Sequence, residues 1–274
     1  MYYRNELNYK YPNRSDGHMI TVKKKRSICF DEGYPYLDKS RGFKFMRGIY
    51  WLLLTLIVFP VMRISHGLRI YGKKNLKKHK KALKKGAITV SNHVFYWDYL
   101  AVLKAIRPRL AYFPAWKDNL EGGCGKLIRL SGGIPVPTDN FRAMVKFNGA
   151  MEEVLKSGKY LHFFPEGSMW LFYPDIRPFK RAVFDYAVKF QKPIIPISMS
   201  FRPRRGIMKL FSKKPFVDLH IAEPIFPSAD LPPREEAERL RRDAYHIMQV
   251  MNGIDESAPT YNTNQSIDDY KSTM

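Results

Sequence analysis

Cysteine is nearly absent, with only Cys29 and Cys124 in 274 residues. Two thiols cannot build a disulfide framework, which points to a reducing compartment. Neither sits in a Cys-x-x-Cys or a Cys/His cluster, so no structural metal site is expected. Acidic residues are scarce: 25 Asp plus Glu stand against 47 Lys plus Arg, a net charge of +22. Between Asp38 and Asp98 there is none at all. A long uncharged run is missing too. The apolar stretch GIYWLLLTLIVFPVM, residues 48 to 62, is bounded by Arg47 and Arg63. As a helix it spans about 22 Å, short of the ~30 Å hydrocarbon core of a bilayer. Pro60 should kink it or end it. It starts too far into the chain for a signal-peptide core, and no small-residue cleavage site follows.

What is present excludes other classes. Hydrophobic residues make up 45% and aromatics 14%, so wholesale disorder is excluded. The length supplies a sizeable core for one large domain or two small ones. A charge of this size implies an anionic partner: nucleic acid, a membrane surface, or a phosphorylated or acidic substrate. Fourteen of the cations fall between Lys39 and Lys85, around the apolar stretch. That arrangement, with Tyr50 and Trp51, fits a helix lying in or dipping into one leaflet. Arg41, Lys44, Arg47, Arg63 and Arg69 would reach lipid phosphates, at about 1 kcal/mol each. The expected location is therefore monotopic or peripheral, on the cytoplasmic face of a membrane. The alternative from another class is a membrane-attached nucleic-acid-binding protein, which the charge and the lysine run favour. Nucleic acid is nevertheless not expected, because the lysines flank an apolar segment and no aromatic-plus-basic stacking motif accompanies them. The run KKNLKKHKKALKKG, residues 73 to 86, predicts one short basic helix with Leu76 and Leu83 on one face and Gly86 closing it.

After Gly86 short apolar runs alternate with helical periodicity. Strands are predicted at 87–90, 110–115, 132–136, 160–165, 193–200 and 216–222. Helices are predicted at 99–106, from the Asn140 cap to about 155 (apolar stripe Met144, Val145, Met151, Val154, Leu155), at 178–190, and after Pro232-Pro233. The last should turn Ala237, Leu240, Ala244, Ile247 and Met251 inward. The fold class is α/β: a single mixed, largely parallel sheet flanked by helices, with an N-terminal membrane-associating helical segment. Four regions result: a polar, Tyr-rich extension at 1–38 with no assignable fold, membrane-associating helices at 39–86, the α/β domain at 87–254, and a disordered tail at 255–274.

Chemistry enters at SNHVFYWD, residues 91 to 98. His93 and Asp98 suit a base and its orienter. On one continuous helix a spacing of five would place them about 140° apart. They meet only if His93 lies in a turn after strand 87–90 and Asp98 opens the next helix. The plain alternative for Asp98 is a helix cap. FFPEGS, residues 163 to 168, places Glu166 and Gly167 in a tight turn at another strand's carboxyl end. Ligands of open α/β sheets bind along that rim. Cys124 has no base placed beside it and reads as a small loop residue.

These blocks resemble the glycerolipid acyltransferases of the 1-acylglycerol-3-phosphate acyltransferase type. That family carries a His-x4-Asp block, a Gly-x-Ile block, a Phe-Pro-Glu-Gly block and a late Pro-containing strand. Here they stand as NHVFYWD, GGIPVPTD, FFPEGS and KPIIPISM, in that order, within a resemblance covering about residues 45–250. The resemblance implies transfer of an acyl group from acyl-CoA or acyl carrier protein to a lysophospholipid hydroxyl, with no further cofactor and no metal. 1-Acylglycerol-3-phosphate would then give phosphatidate. His93 and Asp98 would be catalytic. Asn92, Lys117, Glu166, Gly167, Ser168, Arg177 and Lys180 would serve the substrate. Two arginines usual in the second and third blocks are replaced by Thr138-Asp139 and Met169. Lys117, Arg142, Lys146, Arg177 and Lys180 are the substitutes for holding a phosphate. Another hydroxylated lipid acceptor is the alternative that these departures leave open.

Overall fold

The computed structural model describes residue 7 and residues 9–138 and 140–254. The tail read as disordered, 255–274, and Asp139 lie outside the described residues.

In chain order the structure opens with α1 (Arg41–Leu53), a π turn (Leu54–Val58) and α2 (Phe59–Ser65). Then come β1 (Arg69–Tyr71), α3 (Lys73–Lys78), α4 (Lys80–Leu83), β2 (Ala87–Ser91) and α5 (Asp98–Ile106). Next are β3 (Ala111–Ala115), α6 (Lys117–Glu121), α7 (Gly125–Ser131), β4 (Gly133–Pro135), α8 (Phe141–Lys156) and β5 (Tyr160–Phe163). The series closes with α9 (Ala182–Phe190), β6 (Ile194–Arg202), α10 (Met208–Phe211), β7 (Phe216–Ile221) and α11 (Pro233–Asn252).

The strands make one seven-stranded sheet in the order β1-β7-β6-β2-β5-β3-β4. Every pairing is parallel except β6 with β7. The mixed, largely parallel sheet is thus as the sequence predicts. β2 is buried at every residue, because helices cover both faces at the sheet's centre. One face packs Leu54, Phe59 and Met62 with Val102, Leu103 and Ile195. The other packs Ile88 and Val90 with Met151, Val154, Phe184, Leu240 and Met248.

Several elements differ from the sequence reading. The helix does not end at Pro60 but runs unbroken from Arg41 to Ser65, 25 residues, long and apolar enough to cross a membrane. The π turn just ahead of Pro60 loosens the winding where a proline lacks its donor and crowds the previous turn. Arg47 does not face lipid. It is buried, donates to the Tyr112 hydroxyl and lies 4.4 Å from that ring's centre. The lysine-rich segment is two short helices broken at His79, whose ring meets Glu223 at 2.5 Å. β1 was not foreseen.

In α8 the Asn140 side chain does cap, accepting from Ala143 N at 3.1 Å. Val145 is exposed there, and Phe147 turns inward in its stead. In α11 the inward face is completed by Met248, while Ile247 is half-buried. α9 starts at Ala182, four residues later than expected. Ahead of it the Arg177 and Lys180 N–H groups are taken by the Glu166 carboxylate and the Pro165 carbonyl, so the segment is held extended.

Residues 9–38 contain no helix or strand, yet they are pinned across the molecule. Tyr11 stacks on Trp170 with ring centres 5.3 Å apart. Tyr36 is buried and donates to Phe30 O. Lys24 bridges Asp118 and Glu121.

Candidate active site

β2 ends at Ser91, and the chain turns through residues 92–97 into α5, with Asp98 as its first residue. This is the turn-then-helix arrangement the His-x4-Asp spacing requires. His93 Nδ1 lies 2.5 Å from Asp98 Oδ2. The same carboxylate accepts from the backbone of Val94 (3.1 Å) and Tyr99 (2.7 Å). Asp98 is therefore both the loop's organiser and the histidine's partner. It is fully buried, whereas the His93 side chain is 24% exposed. A carboxylate on Nδ1 leaves Nε2 as the free, basic nitrogen. The imidazole stacks on Phe164 at 3.8 Å, which fixes its plane.

Three further residues fix the backbone of His93. Asn92 is fully buried and clasps the backbone of Met199 on β6, donating to its carbonyl and accepting from its N–H, both at 2.8 Å. Glu166 accepts from His93 N at 3.0 Å, from Arg177 N at 2.9 Å and from Arg177 Nη2 at 2.7 Å. Trp170 N donates to His93 O at 2.9 Å. Below the site, His162 is enclosed with Nδ1 2.9 Å from Thr89 Oγ1. Burial first, and the nearby His93 second, push its pKa down to about 3. It is therefore a neutral member of the core.

The expected substrate residues separate into two groups. Asn92, Glu166, Ser168 and Arg177 are buried and hydrogen-bonded inside the protein, although Arg177 Nε has no partner. Arg177 donates to Glu166, to Ser168 Oγ (2.9 Å) and to Ser15 O (2.8 Å), and lies over the Trp170 ring at 4.4 Å. Burial lowers its pKa, and the Glu166 carboxylate opposes that shift. Ser168 donates to Gly17 O at 2.9 Å. Gly167 and Lys180 face the cavity instead. Gly167 has φ +85°, and a Cβ there would lie 3.0 Å from Lys180 Cε. The left-handed backbone is what favours glycine here, since the lysine tip could shift away from a Cβ.

The Lys180 ammonium is 3.1 Å from the Asp16 carboxylate. Burial would raise the Asp16 pKa, but the hydrogen bond and charge of Lys180, aided by Arg14, outweigh it and hold the carboxyl below its usual value. Lys117 opens α6 and does not line the cavity, although Trp116 and Asn119 beside it do. Arg142 and Lys146 are exposed on α8. Cys124 is an exposed cavity-wall residue.

The cavity measures about 1350 Å³. Small-molecule pockets run to roughly 300–1,000 Å³, so the space suits a long-chain ligand. On one side Tyr50, Leu54 and Val58 of the N-terminal helix meet Phe113 and Leu127. On the other lie Phe147, Tyr186 and Phe190. His93 opens into the same space, and so do His18, Met19 and Ile20 of the N-terminal extension. No group of three or more His, Cys, Asp or Glu able to hold a metal occurs among the described residues. Sequence reasoning missed the extension's part. No local signal announces that Ser15, Asp16 and Gly17 meet partners about 150 residues away.

Residues 67–200 match the family model described as Acyltransferase. Among solved structures the chain is similar to the 1-acyl-sn-glycerophosphate (LPA) acyltransferase PlsC from Thermotoga maritima. The two are 21% identical, the match covers 81% of this chain and 87% of that one, and the TM-score is 0.49. No curated protein matches the chain.

Proposed function

We propose, from the premise that residues 67–200 belong to the acyltransferase family, that this chain esterifies a lysophospholipid hydroxyl with an acyl group carried as a thioester. The observation that carries the proposal is the His93–Asp98 pair, which opens onto an apolar cavity walled by an amphipathic helix. His93 Nε2 takes the acceptor's hydroxyl proton as the oxygen attacks the thioester carbon. The carbon–oxygen bond forms, the carbon–sulfur bond breaks, and the imidazolium returns its proton to the leaving thiolate. Asp98 holds the tautomer and stabilises the imidazolium. No protein nucleophile takes part. The donor is acyl-CoA or acyl carrier protein, and a basic surface suits the phosphates of one and the carboxylates of the other.

The acceptor in this reading is 1-acylglycerol-3-phosphate, and the product is phosphatidate. Lys180 and Lys189 both line the cavity, and Lys180, beside the Gly167 turn, is the one that would meet the phosphate, in exchange for Asp16. One observation favours a second acceptor class: Asp16 already neutralises Lys180, which suits a neutral lipid alcohol. The helix 41–65 is packed on the domain along its length, at Arg47, Leu54, Phe59 and Met62. Lys104 Nζ also donates to Phe59 O at 2.8 Å. A helix so attached fits one that lies along a membrane surface better than one that crosses it, which supports a monotopic protein. The cytoplasmic face is proposed from the scarcity of cysteine.

The test is acyl transfer by purified protein from both donors to lysophosphatidate, other lysophospholipids and a monoacylglycerol. Ester formation that disappears with His93→Ala is expected. Absence of ester with every pair, or undiminished turnover by that variant, overturns the proposal.

A further inference from the structure

The antiparallel hairpin of β6 and β7 is joined by residues 203–215, PRRGIMKLFSKKP, with α10 at its tip. Three of its side chains are among the most exposed apolar groups described: Ile207 at 69%, Leu210 at 85% and Phe211 at 74%. Single exposed apolar residues need no explanation. Three within five positions, with nothing packed on them, form a patch. The charge around the patch has one sign. No Asp or Glu occurs from Tyr186 to Val217, and Arg205, Lys209, Lys213 and Lys214, all exposed, stand beside the three apolar groups in sequence.

The loop is held rather than loose. Arg204 turns inward, donating from Nη2 to Ser65 O and from Nε to Lys214 O, both at 2.6 Å. Arg202 donates to Gly67 O and to Asp218 at 2.9 Å. These bonds fasten the loop to the carboxyl end of helix 41–65, whose Leu56, Ile57, Val61 and Ile64 are exposed. The two apolar surfaces are therefore neighbours. Strand direction places both at the catalytic rim. β6 runs parallel to β2, so the loop leaves β6 at the same edge of the sheet where His93 leaves β2.

We propose that residues 203–215 are a second membrane-docking element. Ile207, Leu210 and Phe211 enter the headgroup–acyl boundary of an anionic bilayer, and Arg205, Lys209, Lys213 and Lys214 meet its phosphates. Together with helix 41–65 the loop holds the domain at two points and turns the carboxyl edge of the sheet, with the cavity, towards the lipid. A helix held by one apolar face still lets the domain rock about the helix axis. A second contact beside its end limits that rocking, and a lipid acceptor then has a short path to His93. Apolar groups flanked by cations match an interfacial element on anionic lipid. The proposal does not depend on the acyl-transfer reading, because vesicle binding is measured without turnover.

The test uses the full chain with vesicles of phosphatidylcholine alone or mixed with phosphatidylglycerol, read by flotation. The combined I207S, L210S and F211S variant should keep its fold, since the three side chains are exposed. Its partition onto mixed vesicles should fall on the order of tenfold or more. The K209Q, K213Q and K214Q set should lose about fivefold per charge on mixed vesicles, little on phosphatidylcholine, and have a flatter salt dependence. In F211W, brominated lipid should quench fluorescence beyond the quenching of the four native tryptophans in the wild type. Unchanged partition of the serine variant, or no added quenching in F211W, overturns the proposal. So does a serine variant whose only change is loss of self-association measured without vesicles, since the patch would then be a protein interface.

Discussion

Asp98 shows how much one carboxylate can settle. Its Oδ2 faces His93 Nδ1 and the Val94 N–H, and its Oδ1 faces the Tyr99 N–H. Replacing it with asparagine keeps the size but substitutes an amide for the acceptor that selects the tautomer. Asp98→Asn should lower kcat by roughly 10²–10⁴-fold with little change in KM, and His93→Ala should lose about as much. Initial rates on protein checked by circular dichroism decide this. Retention of more than a tenth of wild-type activity by either variant would remove the pair from the chemistry. Asp16 and Lys180 are the residues that speak to the acceptor. If a phosphate displaces the Asp16 carboxylate, Asp16→Asn should lower KM for lysophosphatidate by about two- to fivefold, the worth of a partly exposed ion pair. A monoacylglycerol run in parallel should show no change, and equal shifts on both would argue for the neutral acceptor.

His162 carries a prediction about pH. The imidazole titrates near 6.5 when unfolded, while burial holds it near 3 in the folded protein. Between those values the unfolded chain binds a proton that the native state refuses. Stability therefore falls as pH drops from about 6.5 towards 3, by up to ~1.4 kcal/mol per pH unit from this group. Urea midpoints measured between pH 6.5 and 4.5 should slope less in His162→Asn than in the wild type. Parallel slopes would contradict the assignment of a neutral buried histidine.

At the scale of elements, the turn at FFPEGS is a clamp between two segments rather than a plain surface loop. Glu166 and Arg177 are both fully buried and lie 2.7 Å apart. Removing one partner of such a pair strands the other charge, which costs about 3–5 kcal/mol. Glu166→Gln should lower the melting temperature, reduce kcat through a loosened His93 backbone, and leave KM near its wild-type value. A raised KM with unchanged melting would instead mean that Glu166 meets the acceptor directly.

The central elements were legible because their signals are local. AITV, YLHF and PIIPIS are short apolar runs with turn residues at their ends, and a buried parallel strand needs little else. The His-x4-Asp spacing was legible for the same reason, since a strand end and a helix start bracket it. β1 was hidden because Arg-Ile-Tyr beside a lysine run has no apolar pattern, and only its edge pairing with β7 makes it a strand. The late start of α9 was hidden because its cause is distant: Glu166 and Pro165 claim the N–H groups that a helix would have left free. The extension at 9–38 has no period to read, and its order comes from Tyr11, Lys24 and Asp16 meeting far parts of the chain.

For the whole molecule, the question is what holds so basic a protein to its site of action. Two kinds of force are present in one region. The cations between Lys39 and Lys85 supply most of the +22 charge, and the helix from Arg41 to Ser65 turns Phe45, Leu52, Leu56, Ile57 and Ile64 outward. Salt screens the first, with a Debye length of about 3 Å at 1 M, and leaves the second untouched. The wild-type chain bound to anionic vesicles should therefore be released only in part by 1 M salt, and the retained fraction should still bind vesicles made of phosphatidylcholine alone. Replacing Leu56 and Ile57 together with serine should shrink the salt-resistant fraction without abolishing it, since the apolar contribution scales with the area entering lipid and Phe45, Leu52 and Ile64 remain exposed. Flotation at low and high salt reads both results. Complete release of the wild type by salt alone would mean that electrostatics is the whole attachment, and that the exposed face of the helix is covered by something other than lipid.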